Sequence, residues 1–214
     1  MPTPSFKHRI PHGRDELQNA TSGRPAVYLQ HGLLCSSADW VMGSADNSLG
    51  FLLADAGYDV WLGNYRGNTY SRSHCSLNPK IKEFWKFSWD EMGKYDIPAM
   101  IDKVRQVSGQ EKIYYIGHSM GTTGLMVMAN DRPEYLENIH MASLLAPVAW
   151  VDHMKSPIRY LAPFSTSVGV SYTRLPITIF LLLKETFLIY FLYSGSQIFL
   201  GAANFYPAIS SWTC

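Results

Sequence analysis

The sequence predicts an α/β fold, with a mostly parallel central sheet flanked by helices. Short apolar, β-prone runs recur through the first 150 residues, and helical patterns separate them. Glycines stand where one kind of element gives way to the other. Strands that alternate with helices build βαβ units and a parallel sheet. Right-handed crossovers then place helices on both faces.

Each element follows from its residues. Pro25 to Gln30 is short and apolar, as in a strand buried on both faces, and the turn-like His31-Gly32 follows it. Ser48 to Ala56 reads as a helix stopped by Gly57. Tyr58 to Leu62 is a second strand, leading into a loop rich in Gly, Asn and Ser that runs from Gly63 to Ser76. Asp96 then reads as a helix N-cap. Pro98 falls in the first turn, Ile97, Met100, Ile101 and Val104 form an apolar stripe, and Gly109 is the stop. Lys112 to Ile116 is a third strand, a helix covers about Thr122 to Asn130, and Ile139 to Leu145 is a fourth strand.

Length and charge bound the possibilities. The 214 residues suit one domain or most of one. Eighteen basic and 17 acidic residues are spread along the chain, so no basic stripe argues for nucleic acid. Cys35, Cys75 and Cys214 are too few for a disulfide framework and lack metal-ligand spacing, and no cofactor is expected. The N-terminus has no apolar core of a secretory signal. The sequon Asn19-Ala20-Thr21 would matter only on the secretory route.

The chemistry centres on Gly117-His118-Ser119-Met120-Gly121. Gly-x-Ser-x-Gly alone is a weak signal, but here it follows a β-prone run and precedes a helix. That strand–turn–helix setting is the nucleophile elbow, and it narrows the expectation to an α/β-hydrolase fold, partial in these residues. A serine forced into strained backbone at the top of a sheet brings its neighbours very close, which favours glycine on either side. The strain exposes the Ser119 hydroxyl, and the helix N-terminus that follows aims N–H groups at developing negative charge. His118 reads as a packing residue, with its side chain away from Ser119. Acyl transfer needs two N–H donors for the oxyanion. The expected donors are Met120, directly after the nucleophile, and Leu33, in the loop that Gly32 lets turn after the first strand.

Four blocks then resemble the acid lipase family, which includes gastric lipase, lysosomal acid lipase and insect relatives. They are LQHGLLCSSADW from Leu29 to Trp40, WLGNYRGNTYSR from Trp61 to Arg72, FSWDEMGKYD from Phe87 to Asp96, and GHSMGTT from Gly117 to Thr123. The resemblance spans about Phe6 to Phe164. It implies a lipase-type carboxylic ester hydrolase acting on triacylglycerols or cholesteryl esters at a lipid–water interface. Ser119 would be the nucleophile, Leu33 and Met120 would form the oxyanion hole, and the location would be secreted or lysosomal. Many relatives carry Gln where Met120 stands, a change that a backbone donor tolerates.

Two departures shape the expectation. The family places further strands and a signal peptide before the segment matching His8 to Gly13, and it places its catalytic acid and histidine well downstream of the serine. The chain is therefore expected to be a truncated copy and nearly inactive as given. After Ser119 the histidines are His140 and His153, and the acids are Asp131, Glu134, Glu137, Asp152 and Glu185. Of these only Asp152, after the fourth strand, is a remote candidate. Two alternatives stay open: a general carboxylesterase or thioesterase on the same scaffold, and a non-catalytic lipid-binding product.

The expected organisation is a partial core over residues 1–150 and the start of a cap over 151–214, with a divergent apolar tail from about 165. Between Leu175 and Cys214 the only charges are Lys184 and Glu185, while the preceding 174 residues hold the other 33. That step admits three readings: an aberrant transcript end, a lipid-facing cap helix, or a membrane span. A span is disfavoured, because a Lys at its centre would cost about 2.5–3.5 kcal/mol. Missing strands beyond Ile139 to Leu145 would leave that strand with a bare edge.

Overall fold

A computed structural model describes residues 8–14 and 23–150. The sequon, Asp152, His153, Glu185, Cys214, the cap and the apolar tail all lie outside the described residues, so the boundary at 150 stays an expectation.

Five strands form one sheet: β1 (His8–Ile10), β2 (Ala26–Gln30), β3 (Asp59–Leu62), β4 (Ile113–His118) and β5 (Ile139–Leu145). Their order across the sheet is β1-β3-β2-β4-β5. β3, β2, β4 and β5 run parallel, and β1 joins β3 antiparallel. The mostly parallel sheet expected from the sequence is therefore present, with one antiparallel edge strand that the sequence reading did not mark. Arg9 on β1 pins that edge through a two-point contact with the buried Asp59 carboxylate, at 2.7 and 3.0 Å.

Helices cover both faces because the central strands alternate two apolar sets. On one face Ala26, Tyr28, Ile113 and Tyr115 pack under α3 (Ile97–Ser108) and α4 (Met120–Asp131). On the other, Val27, Leu29, Val60 and Leu62 pack with Ala54 of α1 (Leu49–Asp55). Fully burying an aliphatic side chain of this size contributes about 1.5–3 kcal/mol. α3 ends as expected, with Gly109 in the left-handed region at φ 73°.

The start of α3 differs from the sequence reading. Asp96 is not an N-cap: its backbone is helical, at φ −72° and ψ −49°, and its side chain caps nothing. The helical path begins earlier, at α2 (Trp89–Glu91), where Ser88 and Glu91 form a reciprocal capping box. A wide turn of π geometry, Met92–Asp96, then joins α2 to α3. The Asp96 carboxylate is buried and accepts from the backbone N–H and guanidinium of Arg66, the shortest contact being 2.6 Å. Burial raises the Asp96 carboxyl above its usual range, and the Arg66 guanidinium opposes that shift. The acid that looked like a cap is a tether between a helix and the loop after β3.

β5 lies at the open side of the sheet, with Met141, Leu144 and Leu145 exposed. Among the described residues no strand pairs with its outer edge. No helix among the described residues is long and apolar enough to cross a membrane.

Removing one partner of a buried ion pair leaves the other charge uncompensated. Asp96→Ala is therefore expected to destabilise the chain by about 3–5 kcal/mol. A shift of the urea midpoint worth less than about 1 kcal/mol would show that the tether contributes little.

Candidate active site

The sheet register brings two loops together. In the parallel pair β2–β4, Gln30 lies opposite Gly117, and in β4–β5, His118 lies opposite Leu145. The strands thus end at one level, and the loops leaving them share the carboxyl edge. β2 and β4 are neighbours whose onward connections leave in opposite directions along the sheet. Such a switch point opens a crevice at the carboxyl ends of strands.

Ser119 stands at that carboxyl edge, between the last residue of β4 and the first of α4. Its backbone is at φ 50° and ψ −115°, a conformation that L-residues rarely adopt. Three hydrogen bonds hold it there. Its N–H donates to the Leu145 carbonyl at 2.9 Å, and its carbonyl accepts from the Thr122 N–H at 2.9 Å and the Thr122 hydroxyl at 2.6 Å. Met120, at the first position of α4, is partly buried against the core.

The flanking glycines have a steric cause. A Cβ on Gly121 would lie 2.4 Å from the Gln30 carbonyl oxygen, and one on Gly117 would lie 2.9 Å from the Tyr115 ring. A Cβ on Gly32 would sit 3.1 Å from the Cβ of Ser119. The loop after β2 therefore lies directly against the serine. It turns through a bond from the Cys35 N–H to the Gly32 carbonyl, with Leu34 at φ 59°, and Leu33 and Leu34 are exposed.

His31 is locked beside this turn. It is buried, its Nδ1–H donates to the Gly32 carbonyl at 2.8 Å, and its Nε2 accepts from the Tyr65 N–H at 3.2 Å. Asn68 Nδ2 lies 3.1 Å from the same Nε2 and also donates to Asn64 Oδ1. Both ring nitrogens are engaged, so His31 has none free to act as a base for Ser119. His118 packs edge-on against Trp40, with centroids 6.5 Å apart, in keeping with its reading as a packing residue.

Among the described residues, the structure does not bring His140, Asp131, Glu134 or Glu137 to Ser119. His140 is at the start of β5, edge-on to Tyr114, and five residues before Leu145. Five residues of strand span about 17 Å. Asp131 is at the far end of α4 paired with Lys94, and Glu134 pairs with Arg132. Glu137 is exposed in the turn before β5. Sequence reading did not single out Tyr65 and Asn68, whose polar contacts with His31 become visible only once the loop after β3 is folded. Among the described residues no group of His, Cys, Asp and Glu could hold a metal ion.

Two outcomes follow from this geometry. Gly121→Ala is expected to cost more than about 2 kcal/mol, because its methyl meets backbone that cannot swing away. An unchanged thermal midpoint would overturn that account. Burial also lowers the imidazoles of His8, His31 and His118, so below about pH 6.5 the unfolded chain binds protons that the native chain resists. Stability is expected to fall from pH 7 to pH 5, and to fall less steeply in His31→Asn. A flat melting profile over that range would contradict it.

Comparison with known proteins places the chain. A model of the alpha/beta hydrolase fold matches residues 25–164. Human lipase member K is 50% identical over 161 residues, covering 75% of this chain and 40% of that protein. Rat gastric triacylglycerol lipase is 50% identical over 155 residues, covering 72% and 39%. The lysosomal acid lipase/cholesteryl ester hydrolase of Macaca fascicularis is 51% identical over 154 residues, covering 72% and 38%. The chain thus spans about two fifths of the length of these relatives. A crystal structure from Sulfolobus solfataricus, provisionally assigned as a lipase, superposes with a TM-score of 0.50 at 20% identity, covering 74% of this chain and 51% of that one; it supports the fold alone. The acid lipase resemblance seen in the four sequence blocks holds at about half identity, and the chain belongs to the alpha/beta hydrolase family.

Proposed function

We propose that this chain carries the nucleophile and oxyanion half of a lipase-type carboxylic ester hydrolase. The observation that carries the reading is Ser119 in its strained turn, with Gly32 of the loop after β2 packed against it. In this reading the Ser119 hydroxyl attacks the ester carbonyl, and the carbonyl oxygen becomes an oxyanion held by the N–H groups of Leu33 and Met120. Collapse of the tetrahedral adduct expels the alcohol and leaves an acyl group on Ser119, which water then removes.

A triacylglycerol or cholesteryl ester is the proposed substrate class, since gastric triacylglycerol lipase and lysosomal acid lipase/cholesteryl ester hydrolase are named for these. Leu33 and Leu34, exposed beside the serine, suit an acyl chain presented at a lipid surface. A secreted or lysosomal location extends the same likeness. Among the described residues the hydrogen bonds of His31 and His140's place on β5 give Ser119 no base, so this reading assigns the nucleophile and the oxyanion donors and names no general base.

A fluorophosphonate probe followed by peptide mapping tests the proposal. The expected adduct is on the Ser119 peptide, absent in Ser119→Ala, and formed about 10²–10⁴-fold more slowly than in rat gastric lipase if general-base assistance is missing. An adduct confined to other residues would overturn the role of Ser119.

A further inference from the structure

The hydrogen bonds around His31 lead from one edge of the sheet to the turn beside the serine. His8 Nδ1 on β1 meets the Ser37 hydroxyl at 2.7 Å. Ser37 and Asn64 exchange two bonds: the Ser37 N–H donates to Asn64 Oδ1 at 2.9 Å, and Asn64 Nδ2 donates to the Ser37 hydroxyl at 3.0 Å. Asn68 links Asn64 to His31 with the two hydrogens of one amide nitrogen. His31, Ser37 and Asn64 are all buried.

The neighbours fix the His31 tautomer. The Gly32 carbonyl can only accept, so Nδ1 carries the hydrogen; Nε2 faces the donating N–H of Tyr65, so it carries none. The carbonyl that Nδ1 holds belongs to the peptide plane joining Gly32 to Leu33. In a planar trans peptide the C=O and N–H point in opposite directions, so pinning one aims the other. Leu33 N is two bonds from Gly32 Cα, on which a Cβ would lie 3.1 Å from the Cβ of Ser119.

We infer that His31 is a positioning residue: its Nδ1–H grips the Gly32 carbonyl, so that the Leu33 N–H stays aimed at the oxyanion site, and Tyr65 and Asn68 hold the ring for that task. This rests on the reading of Ser119 as nucleophile and Leu33 as oxyanion donor. The turn alone does not supply this aim. The Cys35 N–H reaches the same carbonyl at a longer 3.3 Å, and Leu34 at φ 59° holds a conformation costly for leucine. A second grip on the carbonyl offsets that strain where the donor must not wander.

Two substitutions separate aiming from bulk support. In His31→Asn the side-chain nitrogen takes the place of Nδ1 and still donates to Gly32. In His31→Gln the amide reaches only toward the Nε2 position. The test uses the full 214-residue chain, with residual dipolar couplings of the Leu33 N–H vector and the rate of fluorophosphonate labelling at Ser119. Expected are a wild-type Leu33 coupling in His31→Asn and a collapsed one in His31→Gln. Labelling should be within about threefold of wild type in the first, and about 10²-fold slower in the second. Equal loss in both variants, or a Leu33 coupling unchanged in both, would overturn the inference. Failure of wild-type Ser119 to label would instead count against the nucleophile reading, and the Leu33 couplings would still decide whether His31 aims that N–H.

Discussion

The close approach of the β4–α4 turn to the end of β2 is the constraint on which the rest depends. The Gln30 carbonyl lies where any Cβ on residue 121 would have to go, and Gly32 sits against Ser119. Two backbones this close leave no room for side chains between them. The contact is possible only because β2 and β4 are adjacent parallel strands in register, Gln30 opposite Gly117. That adjacency in turn requires the chain to cross over from β3 on one side of β2 to β4 on the other. Apolar alternation on the strands supplies the means, since Tyr28 and Tyr115 fill one face while Val27 and Leu29 fill the other.

Polar groups then define what the apolar core leaves loose. The loop after β3 has a glycine-rich path with little regular structure, yet it is anchored at two points. Arg66 is held by Asp96, and Asn64 is held by Ser37. Between them Tyr65 and Asn68 contact the buried His31 ring. A buried polar network is favourable only when its members are satisfied, and this one runs unbroken from His8 to the Gly32 carbonyl. Side-chain hydrogen bonds thereby hold the loop where it meets the site, without a helix or strand.

Much of this was legible in the residues. Short β-prone runs marked the four parallel strands, and the two glycines flanking Ser119 marked a crowded turn before any contact was known. Two features escaped for physical reasons. β1 is three residues long, too short for alternation to register, and its place depends on Arg9 finding Asp59, fifty residues away. Asp96 preceded an apolar stripe and a proline, the local pattern of a cap, but its partner Arg66 lies thirty residues upstream. Local sequence rules weigh neighbours; both errors came from charges whose partners are distant. The roles of Tyr65 and Asn68 were hidden in the same way.

The distribution of strain argues that the carboxyl edge is where this fold concentrates its function. Among the described residues, three that are not glycine have positive φ: Leu34, Ser119 and Ala146. Each lies in the chain leaving one of the parallel strands β2, β4 and β5. Conformations of this kind cost of order 1–3 kcal/mol each and persist only where the surroundings over-determine them. Here the surroundings do so by linking the three. The Ser119 N–H donates to Leu145, directly before Ala146, and Thr122 and Thr123 bond to Val148 just beyond it. Leu34 lies in the turn whose Gly32 has little room for a Cβ beside Ser119. Strain spread at random would mark poor packing; strain gathered on three linked loops beside Ser119 is what the proposed nucleophile would need to be held in a reactive geometry.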